Sequence, residues 1–228
     1  EEEVQRYSPT ALMFKNRVIL LHGEVNAQMA YNVIAQVKHL EAASPSEPIT
    51  FLINSPGGSV IDGLAILDVV RGCKCPVVTI GNGMQASMGS IFLSMGDQRF
   101  MTPNANLMLH QISSGTRGQA TDIEISAGFS TYLHEQLKNV YVSFTGLNHK
   151  FWDKVLERDT WLSPEQAKKI GFIHDILQPE KALGKYAAEA KRERTDSLTQ
   201  VVLDKIATMT KNEVVDALNN GQANNAEY

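Results

Sequence analysis

Gly83-Met84-Gln85-Ala86-Ser87-Met88-Gly89 follows the apolar run Val77-Val78-Thr79-Ile80 and precedes Ser90 to Met95, which reads as a buried helix. Strand, small-residue turn, helix: that order points to an α/β fold of repeated strand–helix units. It also sets Ser87 on the turn. A serine there holds its hydroxyl clear of the sheet, and the next backbone N–H groups point at whatever it attacks. Small neighbours let a carbonyl approach. The ordinary alternative is a serine that merely caps a helix, so the rest of the chain has to decide.

The same unit occurs earlier. Ile49 to Ile53 leads into Asn54-Ser55-Pro56-Gly57-Gly58-Ser59 and then the helical pattern Val60 to Val70. Paired glycines after a strand allow positive φ and expose a backbone N–H with no Cβ in the way. Such a turn can donate to an oxyanion together with the N–H after a nucleophile. His110 ends a third apolar run, Leu107-Met108-Leu109-His110-Gln111, at a strand mouth suited to general-base work. Asp159 stands in Leu156-Glu157-Arg158-Asp159-Thr160, just before Trp161-Leu162. The chain order is thus Ser, His, Asp, unlike the chymotrypsin, subtilisin and α/β-hydrolase orders.

Four segments together resemble the proteolytic subunit of the Clp protease, a serine peptidase of the ClpP/crotonase fold. They are Asn54 to Ser59, Gly83 to Gly89, Leu109-His110-Gln111 with Gly118 to Glu124, and Glu157-Arg158-Asp159 with Leu162-Ser163. The resemblance runs from about Phe14 to Leu177. It implies a repeated ββα superhelix with a protruding handle helix over about 112–146. It also implies Ser87 as nucleophile, His110 as base, Asp159 as orienting carboxylate, and the Gly58 and Met88 N–H groups as oxyanion hole. The activity implied is endopeptidase cleavage of unfolded polypeptides or short peptides through an acyl-enzyme, inside two stacked heptameric rings. Arg158 would pair with the handle residues Glu124 and Gln119, coupling ring stacking to the triad. The strand before the handle would bind substrate backbone in extended form.

Two departures stand out. Family members dock a hexameric AAA+ unfoldase through apolar clefts. The aligned positions here are Lys38, Thr50, Leu52, Ile80, Asn82, Phe100 and Thr102, of which four are polar. Each large apolar side chain lost from such a cleft removes about 1.5–3 kcal/mol of burial. The expectation is that the usual unfoldase does not dock. His174-Asp175 stands where a lone Asp is more usual, which points to a local rearrangement near the last strand.

The domain organisation expected is a short N-terminal segment over 1–13, a peptidase domain over 14–180 and a helical extension over 181–228 with a disordered end. In that extension Leu198, Val201, Val202, Ile206 and Met209 share one face, and Thr210-Lys211-Asn212-Glu213 is a capping box. It would cover the outer face of the peptidase or recruit another partner.

At 228 residues and 43% hydrophobic, the chain can bury a core without disulfides. Its net charge of -4 gives no nucleic-acid signal. No apolar run approaches a membrane span, and Glu1-Glu2-Glu3 is unlike a signal peptide. Cys73 and Cys75 fit neither a disulfide nor a zinc site and read as reduced thiols. The expected setting is cytoplasmic, the host cytoplasm if the chain is phage-encoded. No metal or organic cofactor is implied, and no phosphate-binding Gly-Lys-Ser/Thr loop occurs. Two other functions share the fold: a non-catalytic ring subunit, which would lack triad members, and a crotonase-type acyl-CoA enzyme, which uses acidic residues instead.

Overall fold

Helix starts marked by the sequence are capped as their residue types dictate. Asn26 Oδ1 accepts from Met29 N at 3.0 Å, and Ser59 Oγ from Asp62 N at 3.3 Å. Ser163 and Gln166 make a reciprocal capping box, at 3.3 Å and 2.8 Å. In the computed structural model, which describes residues 8–177, these caps punctuate a strand–helix alternation. It runs α1 (Pro9–Lys15), β1 (Val18–Val25), α2 (Ala27–Ala43), β2 (Ile49–Gly58), α3 (Val60–Arg71), β3 (Val77–Ala86) and α4 (Met88–Ser94). Then come β4 (Gln98–Met101), β5 (Asn106–Leu109), α5 (Ala120–Thr145), α6 (His149–Leu156), β6 (Thr160–Leu162), α7 (Pro164–Lys169) and β7 (Asp175–Ile176). The α/β architecture expected from the sequence is what the chain adopts. α1 crosses the boundary drawn at residues 13 and 14, and the proposed extension over 181–228 lies outside the described residues.

The sheet runs β1-β2-β3-β4-β7, all parallel, with β5 branching from β3 and β6 pairing β5 antiparallel. On one face Ile19, Leu21, Phe51 and Ile53 pack with Val33, Val37, Ile66, Leu67, Ile91 and Phe92 from the helices. On the other, Val78, Ile80, Phe100 and Leu177 form a smaller cluster with Leu52. Alternation of side chains along each strand produces the two faces.

β3 forks. Its first half pairs β2 from Ile49↔Val77 to Ile53↔Gly81 and β4 from Val78↔Gln98 to Gly81↔Met101. Its second half pairs β5, Met84↔Asn106 to Ala86↔Met108. Between the halves the β2 register shifts, and the Gln85 side chain fills the break. Its Nε2 donates to Ile53 O at 2.8 Å and Asn82 O at 3.2 Å. A Cβ on Gly81 would sit 2.5 Å from Gln85 Oε1, so a larger residue there would displace the Gln85 side chain from the break.

The apolar residues of the long helix α5 divide in two. Toward the C-terminal end of α5, Val140 and Tyr141 are buried, and Tyr141 stacks on Trp152 at 4.8 Å. Phe172 joins that cluster, 6.0 Å from Tyr141 and 4.9 Å from Phe144. Toward the N-terminal end, Ile123, Ile125, Phe129 and Tyr132 are exposed, Ile125 to 66%. Residues 110–118 before α5 form no regular element.

Candidate active site

Ser87 lies between β3 and α4 with φ +54° and ψ −121°. A non-glycine residue held there carries about 1–3 kcal/mol of strain. Its own peptide groups are tied on both sides: Ser87 N donates to Met108 O at 3.0 Å, while Ser87 O accepts from Ser90 N at 2.9 Å and Ser90 Oγ at 2.6 Å. A serine at a helix start usually accepts from the first-turn N–H groups. Ser87 does not, which leaves its half-buried hydroxyl uncommitted among the described residues.

The end of β2 closes over this turn. Gly57 has φ +94°, and a Cβ there would come 2.6 Å from Ser87 Cβ, 2.9 Å from Ala86 O and 3.0 Å from Met88 N. Gly58, at φ +144°, backs onto Val25, whose backbone a Cβ would overlap. Ser55 holds the loop by donating to Gly23 O at 2.6 Å and accepting from Gly57 N at 3.1 Å. Met88 opens α4, so its N–H has no acceptor within the helix. Of the two predicted oxyanion donors, Met88 directly follows Ser87, and Gly58 follows the glycine that packs against Ser87. Gly57 was singled out only as half of a Gly-Gly pair; its close approach to the serine depends on packing between segments thirty residues apart.

Register assembles the remaining pair. β5 lies between β3 and β6, with Ala86↔Met108 on one side and Leu109↔Thr160 on the other. One step past these pairs stand Ser87, His110 and Asp159. His110 Nδ1 is 3.5 Å from Asp159 Oδ1, with side chains 23% and 64% exposed. Among the described residues no hydrogen bond joins Ser87 to His110. Gln111 Nε2 donates to Glu157 O at 3.0 Å, and Thr160 Oγ1 to Val155 O at 2.8 Å, pinning the loop that carries Asp159. Neither tie has a local sequence signal, since each spans a tertiary contact or a loop reversal.

The other predicted positions are dispersed. Arg158, Glu124 and Gln119 are exposed, and no bond links them within the described chain. Of the altered-cleft set, Leu52, Ile80 and Phe100 meet in one cluster closed by Leu177. Thr50 is buried on β2, Asn82 O accepts from Gln85, and Thr102 N donates to Gly81 O at 2.9 Å. Lys38 is set apart on α2, paired with Glu41 at 3.0 Å.

A cavity of about 510 Å³ is lined in part by Cys73, Cys75, Asp97, Arg99 and His174, and by none of Ser87, His110 or Asp159. Both cysteines are free. Arg99 donates to Phe172 O at 2.9 Å and Gly96 O at 3.2 Å, and its guanidinium lies 5.1 Å from the Phe144 ring. Burial lowers it to about 10, so it stays charged at neutral pH. His174 Nδ1 accepts from Arg99 N at 3.0 Å; burial, then the Arg99 charge, pushes its pKa down to about 4. A neutral histidine thus ties the start of β7 to β4.

Among the described residues no cluster of three or more His, Cys, Asp or Glu could hold a metal, and no helix is long and apolar enough to cross a membrane. A family model for the Clp protease matches residues 1–180 of the 228. The chain belongs to the Clp protease family, a family of proteases acting on peptides and proteins.

Proposed function

We propose that the chain is a serine endopeptidase in which Ser87 attacks, His110 is the base and Asp159 orients it. The observation that carries this reading is the convergence of Ser87, at its strained φ, with the His110–Asp159 pair on three adjacent strand ends. With Nδ1–H directed at Asp159, Nε2 of His110 takes the Ser87 proton as Oγ adds to the scissile carbonyl. The oxyanion is held by the Gly58 and Met88 N–H groups, each worth about a hundred- to a thousandfold in rate. His110 then protonates the leaving amine, and water hydrolyses the acyl-enzyme by the reverse transfers. The absent Ser87–His110 bond is the kind of contact that tightens when substrate arrives.

The exposed apolar end of α5 supports assembly into stacked rings, with Arg158 of one copy meeting Glu124 and Gln119 of another. The polar positions Lys38, Thr50, Asn82 and Thr102 support a docking face that a standard AAA+ unfoldase does not use. Labelling by a fluorophosphonate tests the chemistry: wild type should be labelled and should cleave a short peptide, and Ser87→Ala should do neither. A wild type inert to both would remove the peptidase reading in favour of a non-catalytic ring subunit. Light scattering reads the assembly, and stimulation by a standard unfoldase would overturn the docking reading.

A further inference from the structure

We propose that Tyr141 and Ser90 form a hydrogen-bonded relay that positions the Ser87–Met88 peptide, and through it the Met88 N–H as an oxyanion donor. This rests on the peptidase reading above. Ser90 Oγ is 2.6 Å from Ser87 O and 2.8 Å from Tyr141 Oη, with both Ser90 and Tyr141 buried. A carbonyl only accepts, so the single Ser90 proton goes to Ser87 O and the Tyr141 hydroxyl donates to Ser90. Burial pushes the Tyr141 pKa up to about 12, so the phenol keeps the proton it donates.

The carbonyl of Ser87 and the N–H of Met88 belong to one planar peptide unit. Whatever fixes the carbonyl therefore aims the N–H. Ser87 O receives two donors from Ser90, at 2.9 Å from N and 2.6 Å from Oγ. Accepting them also polarises the unit and strengthens the N–H as a donor. A residue at φ +54° needs such support, because its backbone does not rest in a broad minimum. The far end of the relay is rigid: the Tyr141 ring lies 22° from the plane of Trp152 and 6.0 Å from Phe172. Helical serines often bond a carbonyl three residues back without functional consequence. Here that bond falls on the peptide carrying the proposed oxyanion donor, and a second element, α5, sets its direction.

The test uses the full chain with Tyr141→Phe, Ser90→Ala and the double variant. Tyr141→Phe removes only the hydroxyl and keeps the stacked ring. It should lower kcat roughly three- to tenfold, the scale of one hydrogen bond, and leave KM unchanged. Affinity for a peptide boronate, whose tetrahedral adduct on Ser87 uses the oxyanion hole, should fall by the same factor, while affinity for the matching peptide amide should hold. In the Ser90→Ala background the hydroxyl should no longer matter. Wild-type kcat and boronate affinity in Tyr141→Phe, or effects that simply add in the double variant, would overturn the relay. If Ser90→Ala folds poorly for want of a Tyr141 partner, the single phenylalanine variant still decides. A wild type that neither cleaves nor binds the boronate would overturn the peptidase reading and the relay with it.

Discussion

Gly57 and Ser87 approach so closely that a Cβ on the glycine would lie 2.6 Å from that of the serine. Its other near neighbours are backbone atoms, Ala86 O and Met88 N, which cannot swing aside as a flexible side chain would. Gly57→Ala therefore combines overpacking with an unfavourable φ, costing about 1–3 kcal/mol in stability. Because the displaced atoms are those of the proposed nucleophile turn, kcat/KM should fall by at least about a hundredfold. Thermal melts beside peptide hydrolysis separate the two losses; a stable variant with full activity would contradict the geometry.

Asp159→Asn should separate activity from stability in the opposite sense. The carboxylate is mostly exposed, so its pairing with His110 adds no more than about 1 kcal/mol to the fold. As the proposed orienting carboxylate, it should matter far more in catalysis, roughly a hundred- to ten-thousandfold in kcat. Equal Tm with greatly reduced turnover is the expected pair of readings.

Trp152 is fully buried among Tyr141, Phe151 and Phe172, and its Nε1 has no hydrogen-bond partner among the described residues. Trp152→Ala should destabilise by about 3–5 kcal/mol in urea unfolding. Trp152→Phe should cost much less than its lost volume suggests, because it also removes an unsatisfied buried donor.

Acid should weaken the β4–β7 edge through His174. An unfolded histidine titrates near 6.5, whereas burial and Arg99 bring this one to about 4. Between those values the unfolded chain takes up a proton that the native chain refuses. The stability contributed by neutral His174 is complete above about 6.5 and is lost as pH falls toward 4. His174→Asn, which keeps an acceptor for Arg99 N, should show a flatter Tm–pH curve across that window.

Element starts were readable wherever local chemistry wrote them. Asn26 at α2 and the Ser163–Gln166 box at α7 are residue types whose side chains cap the helix starts where they stand. The apolar runs at Ile49 and Val77 marked β2 and β3 but stopped short of their ends at Gly58 and Ala86. Those polar, glycine-bearing extensions are held as strand by pairing rather than by propensity. α6 was not anticipated despite its Asn148 cap, because Trp152 and Leu156 mark its buried side with few apolar residues. Ser87, His110 and Asp159 are legible as candidates because each stands among suitable neighbours within its own segment. What Gly57, Ser90 and Tyr141 contribute is closeness to a turn 30, 3 and 54 positions away in the chain, which no local pattern carries.

β6 is three residues long and, among the described residues, paired on one side only, to β5. Asp159 enters the site through that strand. Amides at 160–162 should exchange with deuterium well ahead of those at 49–53, which lie in a strand paired on both sides. Opening there releases the carboxylate from His110 while the β1–β4 layer remains folded. On warming, hydrolysis should therefore fade several degrees before the global melt, and fade reversibly. That short edge ladder would act as the thermostat of the chemistry.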